Sequence, residues 1–353
     1  MKVSLISGRE LSDDVARAWL LIQQGNPELA SPFFHPEFTK IVASARNDVE
    51  VAIIESEGKI AGLFPFHRGV GGIGRSVGEI ISDYQGVISA QDFRFSPREL
   101  LRYSRLIIFD FDHLPTSQLN FAPFQSSIEL SPQIDLSKGY EAYAQERRRA
   151  GSEVIKKIGN VTRRLERELG PLRFVADSGD RAALATVLGW KSDQYRKTAN
   201  RNLFAPGWIR EAVDRIFATR ADGYSGTLSL LYAGDELIAG HFGMRSRAVW
   251  HYWFPTYDPK VATHSPGLIL LLKMAEHAAS IEVSIIDLGK GESPYKKRFM
   301  NNSSLLASGS VELPSWRTLS RRTFRALRSQ IAASPAVLPA RAALNWFRGV
   351  CKV

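Results

Sequence analysis

Residues 51–64, Val-Ala-Ile-Ile-Glu-Ser-Glu-Gly-Lys-Ile-Ala-Gly-Leu-Phe, return in altered form at residues 229–242, Ser-Leu-Leu-Tyr-Ala-Gly-Asp-Glu-Leu-Ile-Ala-Gly-His-Phe, 178 positions further along. Each copy reads as strand, tight turn, strand, because β-rich runs flank Ser56-Glu-Gly58 and Gly234-Asp-Glu236. An amphipathic helical stretch precedes each copy, residues 33–45 entered through Ser31-Pro32 and residues 208–220 entered through Pro206-Gly207. An offset of about half the 353 residues predicts two similar halves of mixed α/β type, not a short solenoid repeat. The expected division is 1–140, 141–312 and an appendage at 313–353.

The appendage differs in charge. Of the net charge of +10, eight basic residues fall between Leu313 and Val353, where no acid occurs, so the body is nearly neutral. Trp316, Leu319, Phe324 and Leu327 can share one helical face flanked by Arg321, Arg325 and Arg328, the pattern of an interfacial helix that meets an anionic surface. A second basic stretch, Arg147 to Arg164, is diluted by Glu146 and Glu153, and residues 136–170 read as helical up to Gly170-Pro171. With 44% hydrophobic and 23% charged residues the chain is neither disordered nor a disulfide scaffold. Its single cysteine, Cys351, permits no internal disulfide and makes a reducing compartment the expectation. The apolar runs are too short for a membrane span, and the first ten residues lack the apolar centre of a signal peptide.

The most informative run is the strand 248–254, a loop of small residues through Gly267, and the apolar helix 268–279. This arrangement aims free N–H groups and a positive helix end at one spot, which suits a pyrophosphate; Ser265 is the expected N-cap. The next strand, 283–287, ends at Asp287 and runs into Leu288-Gly-Lys-Gly291, placing side chains at a carboxyl edge of the sheet. Lys290-Gly291 lacks the spacing of a phosphate loop, so nucleotide hydrolysis is not expected. Ser82-Asp-Tyr-Gln-Gly86 gathers an acid, a phenol and an amide, of which Tyr84 and Gln85 exceed what a turn needs. The seven histidines show no metal-ligand spacing, and no G-x-S-x-G elbow is present, so neither a metal site nor serine hydrolysis is expected.

Ser31-Pro-Phe-Phe-His-Pro-Glu-Phe38, Ser82-Asp-Tyr-Gln-Gly86, Ser265-Pro-Gly-Leu268 and Ile286-Asp-Leu-Gly-Lys-Gly291 with Tyr295-Lys296 resemble the CelD-type family of GNAT acetyltransferases, over about residues 20–310. That family is associated with bacterial cellulose and exopolysaccharide synthesis and is similar to the Fem-type aminoacyl transferases, which have two GNAT domains in tandem. The resemblance implies two tandem GNAT-like domains and acetyl-coenzyme A as co-substrate, held at Thr263, His264, Ser265, Gly267 and Leu268. Thr263-His-Ser-Pro-Gly267 keeps only part of the usual Q/R-x-x-G-x-G/A. Tyr295 matches the position of the acid that protonates the leaving thiolate. Asp83 and Asp287 are the candidate bases, and Tyr84, Gln85, Lys290 and Lys296 the expected acceptor contacts. The implied activity is N- or O-acylation of a sugar or amino-sugar intermediate, without a metal or specific nucleic acid. It is expected in the cytoplasm, with the basic tail touching the inner membrane face or a polysaccharide synthase. Two other readings remain open: a Fem-like transferase taking charged tRNA along Arg147–Arg164, and a non-catalytic GNAT-fold scaffold.

Overall fold

The computed structural model describes residues 2–198, 202–315, 318, 319 and 321. The first half runs β1 (Lys2–Ser7), α1 (Asp13–Gln24), α2 (Pro36–Ala45), β2 (Val49–Ser56), β3 (Lys59–Gly69), β4 (Ile73–Arg75), β5 (Ile88–Ser89), α3 (Pro97–Tyr103), β6 (Ile108–Pro115) and β7 (Gln125–Asp135). The second half follows with α4 (Tyr140–Arg149), α5 (Val154–Leu169), β8 (Leu172–Val175), α6 (Arg181–Lys197), α7 (Gly207–Ala218), β9 (Arg220–Ala221), β10 (Tyr224–Ala233) and β11 (Glu236–Ser246). It closes with β12 (Val249–Tyr257), α8 (Pro266–Ser280), β13 (Ile285–Asp287), α9 (Pro294–Phe299) and β14 (Asn302–Glu312). Both anticipated hairpins form, as β2–β3 and β10–β11, and their strands are buried along most of their length, as strands covered on both faces are.

These strands build one mixed sheet in the order β1-β2-β3-β4-β6-β14-β7-β13-β12-β11-β10-β8, with β5 on β3 and β9 on β10. The repeat noticed in the hairpins extends much further. β3 and β11 begin at residues 59 and 236, β6 and β13 at 108 and 285, β7 and β14 at 125 and 302, so each pair is 177 residues apart. The last pair changes places. β7 leaves the first half to pair with β13, while β14 returns from the end of the second half to pair with β6. The two exchanged strands then zip to each other over Asn302↔Gln133 to Gly309↔Gln125.

Helices cover both faces. Between the sheet and α1, α2, α6 and α7 lies a core that includes Trp19, Phe38, Val42, Ile216, Leu228 and Trp253. On the opposite face, Leu165, Leu270, Met274, Trp250 and Ile286 pack beneath α5 and α8, and Phe64, Phe66, Phe109 and Phe121 fill the space under the first half. Period-two alternation along β12 therefore sends Trp250 and Tyr252 to one face and His251, edge-on to Phe33 at 5.0 Å, to the other.

Some local expectations change. The stretch 33–45 is not one helix: Pro32–Phe34 forms a single 3₁₀ turn and α2 restarts at Pro36. His35, extended as a residue before proline tends to be, uses Nδ1 to cap Glu37 N–H at 3.2 Å. The charged stretch 136–170 breaks into α4 and α5. Ser265 occupies the N-cap position of α8 but in the left-handed region (φ 48°, ψ 46°), and its hydroxyl makes no capping bond. The N–H groups of Leu268 and Ile269 turn back instead to the Ser265 carbonyl at 3.0 and 3.3 Å. In the appendage, Arg321 donates to both oxygens of Asp110 on β6 (2.8 and 2.9 Å), so that arginine is engaged by the body, whereas Leu319 is exposed. Trp316, Phe324, Arg325, Leu327, Arg328 and Cys351 lie outside the described residues. No helix among the described residues is long and apolar enough to cross a membrane.

Candidate active site

The site forms where the two halves meet, at the place where β12 and β13 part. They pair in parallel only from Val249↔Ile285 to His251↔Asp287; β12 then continues to Tyr257 with no partner strand on that edge among the described residues. An unpaired strand edge inside a fold presents backbone N–H and C=O groups to whatever enters. On its other edge β12 is shaped by a bulge opposite Gly243. A Cβ on Gly243 would lie 2.3 Å from the His251 carbonyl oxygen, so only glycine lets the strands close here. The Trp253 N–H leaves the ladder and donates to His241 Nε2 at 3.1 Å, and burial holds His241 neutral by lowering its pKa to about 3.

At the parting point Asp287 is almost fully buried and saturated. Its Oδ1 accepts from Ser131 Oγ and the Gly289 N–H, both at 2.8 Å, and its Oδ2 accepts from Tyr84 Oη and from Gln133 Nε2 at 3.2 Å. Tyr84 also meets Ser304 Oγ at 2.9 Å; burial, then the Asp287 charge, pushes its phenol well above its ordinary pKa, so it stays a donor. These partners arrive on the exchanged strands: Ser131 and Gln133 on β7, Ser304 on β14.

Asp83 differs in exposure and in partners. Its side chain keeps 27% of its surface in water, its Oδ2 lies 2.7 Å from His251 Nε2, and its Oδ1 lies 3.7 Å from His113 Nε2. Burial alone would raise its pKa, but the hydrogen bond and charge of His251, with His113 and Lys296 behind, outweigh that and hold the carboxyl below its usual value. His251 is itself buried; its Nδ1 has no hydrogen-bond partner among the described residues and lies 3.9 Å from Asp287 Oδ1. Imidazole thus bridges one open and one closed carboxylate. Gly289, at φ +78°, completes the roof: a Cβ there would lie 3.7 Å from Asp83 Oδ2.

The remaining anticipated residues divide. Lys296, its pKa lowered by burial against the opposing pull of Asp287 and Asp83, donates to the carbonyls of Gly289 (2.8 Å) and Lys290 (3.1 Å) and so pins the roof loop. Lys290 donates to the Asp112 carbonyl at 2.6 Å and pairs with Glu129 at 3.2 Å. Gln85 turns from the cleft to β6: its amide donates to Asp112 Oδ1 at 2.6 Å and accepts from the Asp112 and His113 N–H groups at 3.0 and 3.4 Å. Those bonds occupy the polar atoms an acceptor would need. On the other face of the sheet, Thr263 Oγ1 meets His264 Nδ1 at 3.2 Å and His264 Nε2 meets Glu168 at 2.6 Å, tying the loop to α5. Ser265 and Leu268 line a cavity of about 420 Å³ together with Glu153, Lys157 and Arg298, and the Gly267 N–H beside it makes no backbone hydrogen bond among the described residues. Tyr295 packs against the same core near Tyr252; burial raises its pKa to about 12, and its hydroxyl has no partner among the described residues. No group of three or more His, Cys, Asp or Glu among the described residues is placed to hold a metal ion.

His251, His113, Ser131, Gln133 and Ser304 are absent from the sequence-based set. His251 alone leaves a signal, a lone imidazole inside the aromatic strand Trp250-His-Tyr-Trp-Phe254; Ser131 and Gln133 reach Asp287 from 156 and 154 residues away in sequence, and Ser304 reaches Tyr84 from 220.

Residues 152–297 match the family model described as acetyltransferase (GNAT) domain. No curated protein matches the sequence. Among solved structures, FemX is 10% identical with a TM-score of 0.59, covering 91% of this chain and 99% of its own. A tandem GNAT protein from the clavulanic acid biosynthesis pathway is 11% identical with a TM-score of 0.51, covering 89% of this chain and 100% of its own. A protein of unknown function from Bacteroides thetaiotaomicron gives 11% and 0.51, covering 84% and 98%. The architecture is that of a GNAT fold like those of tandem GNAT proteins, and residues 152–297 form a GNAT acyltransferase domain. The matched domain supports an acyltransferase.

Proposed function

We propose that this chain transfers an acyl group, acetyl in the first instance, from acyl-coenzyme A to a hydroxyl or amine of a sugar in bacterial surface polysaccharide synthesis. The observation that carries the transfer chemistry is the parted β12–β13 edge, with an open, ionised carboxylate on one side and an unpartnered phenol on the other. Lys157, paired with Glu153, and Arg298 line the cavity beside Ser265 and Leu268 at the start of α8, a place that suits phosphates. Asp83 takes the acceptor proton, held in place by His251, while Asp287 fixes the geometry and is too heavily hydrogen-bonded to act as base. A backbone N–H of β12 beyond His251, other than that of Trp253, which His241 engages, supplies the charge stabilisation that acyl transfer needs at the carbonyl oxygen. Tyr295, protonated at neutral pH, returns a proton to the departing thiolate. The sugar acceptor rests on the segmental resemblance around Ser31, Asp83 and Gly289. Thermal shift with acetyl-coenzyme A tests the donor, since ligand at 100 times its Kd adds about 2.7 kcal/mol of stability. No shift with acetyl-coenzyme A, together with binding of charged tRNA, would favour the Fem-like donor instead.

A further inference from the structure

Strand alternation sends neighbouring side chains to opposite faces, yet Asp112 and His113 on β6 lie side by side, with Asp112 Oδ1 2.9 Å from His113 Nδ1. A bulge makes this possible. The register of β6 against β14 passes from Phe111↔Gly309 to Leu114↔Ala307, so two residues of β6 stand opposite Ser308 alone. Bulges re-aim side chains and are over-represented beside active sites. Here the re-aimed ring puts its Nε2 3.7 Å from Asp83 Oδ1, about 0.7 Å beyond an ordinary hydrogen bond. Gln85 clamps the pair: its amide oxygen accepts from both main-chain N–H groups, its amide nitrogen donates to Asp112 Oδ1, and its own main-chain N–H donates to the His113 carbonyl at 3.1 Å. Lys290 holds the Asp112 carbonyl. Burial alone would raise the Asp112 pKa, but the hydrogen bond and charge of His113, with Gln85 and Lys290 behind, outweigh it and keep the carboxyl ionised. An ionised carboxylate only accepts, so in the neutral ring the hydrogen sits on Nδ1 and the bare Nε2 faces Asp83.

We propose that His113 is a relay residue for the acceptor proton, taking it from Asp83 and passing it to solvent beside Asp112. The inference rests on the acyltransferase reading above and deepens it. A carboxylate held below its usual pKa is a poor holder of a proton at neutral pH, whereas an imidazole suits that range. His251, the other ring on Asp83, is only 1% exposed; His113 is 16% exposed and its partner Asp112 63%. As the acceptor's O–H or N–H bond breaks, its proton goes to Asp83 Oδ1 and from there to His113 Nε2. The acceptor atom bonds to the acyl carbon, and the C–S bond breaks with its electron pair on sulfur. The imidazolium so formed lies between two carboxylates, Asp83 and Asp112, which stabilise its charge. Tyr295 gives its proton to the thiolate; His113 gives one to water and water returns one to Tyr295, so each cycle ends with every group as it began.

The test has two arms, both on the full chain. Long-range proton–nitrogen NMR of the imidazoles, with the His113 signal identified by its loss in His113→Gln, should show neutral His113 carrying its hydrogen on Nδ1. A hydrogen on Nε2 overturns the relay, because that nitrogen then has no lone pair to receive a proton; this arm reads the ring whether or not an acceptor is turned over. The second arm follows thiol release from acetyl-coenzyme A with glucosamine as acceptor. His113→Gln should lower kcat at least about tenfold and leave the KM for acetyl-coenzyme A and the melting temperature near wild type. Asp112→Asn keeps the ring, removes one of its flanking charges and should lower kcat in the same direction. In an Asp83→Asn background His113→Gln should cost nothing more, since no proton then reaches the ring, whereas a merely structural histidine would lower both alike. Wild-type kcat in His113→Gln, or a further loss in the double variant equal to that in wild type, overturns the relay. If wild type gives neither a thermal shift with acetyl-coenzyme A nor thiol release, the acyltransferase reading fails; if wild type turns over and His113→Gln matches it, the relay alone does.

Discussion

The two carboxylates at the parting of β12 and β13 respond oppositely to the same substitution. In Asp83→Asn the new amide oxygen can still accept from His251 Nε2, and the side chain keeps its contact with water, so the fold should survive. Turnover should not survive intact. Loss of a general base costs about 10²- to 10⁴-fold, which is about 2.7 to 5.4 kcal/mol at 1.36 kcal/mol per tenfold. In Asp287→Asn an amide nitrogen must face donors whichever way it turns, either the Gly289 N–H or Gln133 Nε2. Each orphaned buried donor costs about 1–3 kcal/mol, so unfolding in urea should move by about 3 kcal/mol. The assay pairs urea unfolding with release of free thiol at saturating acetyl-coenzyme A and a fixed sugar acceptor. Because Asp83 has a depressed pKa, its stabilising contribution is present above the ordinary carboxylate value and is lost only as pH falls through the depressed one. Between pH 6 and 9, the range of the assay, wild type and Asp83→Asn should therefore show parallel stability, and the difference should be in rate. Turnover within threefold of wild type across that range would remove Asp83 from the mechanism. A fully stable but inactive Asp287→Asn would transfer the role to Asp287.

Tyr295→Phe should keep acetyl-coenzyme A binding and lose turnover by about 10²-fold, measured by thiol release, since burial keeps the phenol protonated throughout the neutral range. Gly267→Phe should raise the Kd for acetyl-coenzyme A at least tenfold in calorimetry while leaving the melting temperature near wild type, because the ring extends beside Tyr257 across the start of α8. Gly243→Ala should destabilise by about 1–3 kcal/mol in urea, the usual cost of overpacking, and lower turnover, because its Cβ must displace the His251 carbonyl. Truncation after Glu312 should leave acetyl transfer intact and cost about 1 kcal/mol or less in unfolding, the worth of a partly exposed ion pair such as Arg321–Asp110.

The hairpins were legible in the sequence because a turn and its flanking strands are local: Glu57-Gly58 and Gly234-Asp235 decide their own geometry. The strand-loop-helix from β12 into α8 was legible for the same reason, except at Ser265, whose left-handed backbone comes from the preceding 3₁₀ turn. The site was legible only as fragments. Asp83, Tyr84 and Gln85 read as a single polar patch, yet an extended segment sends successive side chains apart, to His251, to Asp287 and to Asp112 respectively. Ser131 and Gln133 carry no motif at all, since their role arises from β7 crossing to β13.

That crossing also sets an order in time. During synthesis β6 emerges early but cannot acquire its neighbour β14 until residues 302–312 have left the ribosome, almost two hundred positions later. Such distant pairings close late and slowly. Until then the first half carries an open sheet edge, a liability for association with other nascent chains. Two copies of a single ancestral half, each lending its last strand to the other, would close the same sheet as a symmetric dimer. Joining them in one polypeptide makes that mutual loan independent of concentration, and it means that neither half, expressed alone, has the strands to complete its own edge.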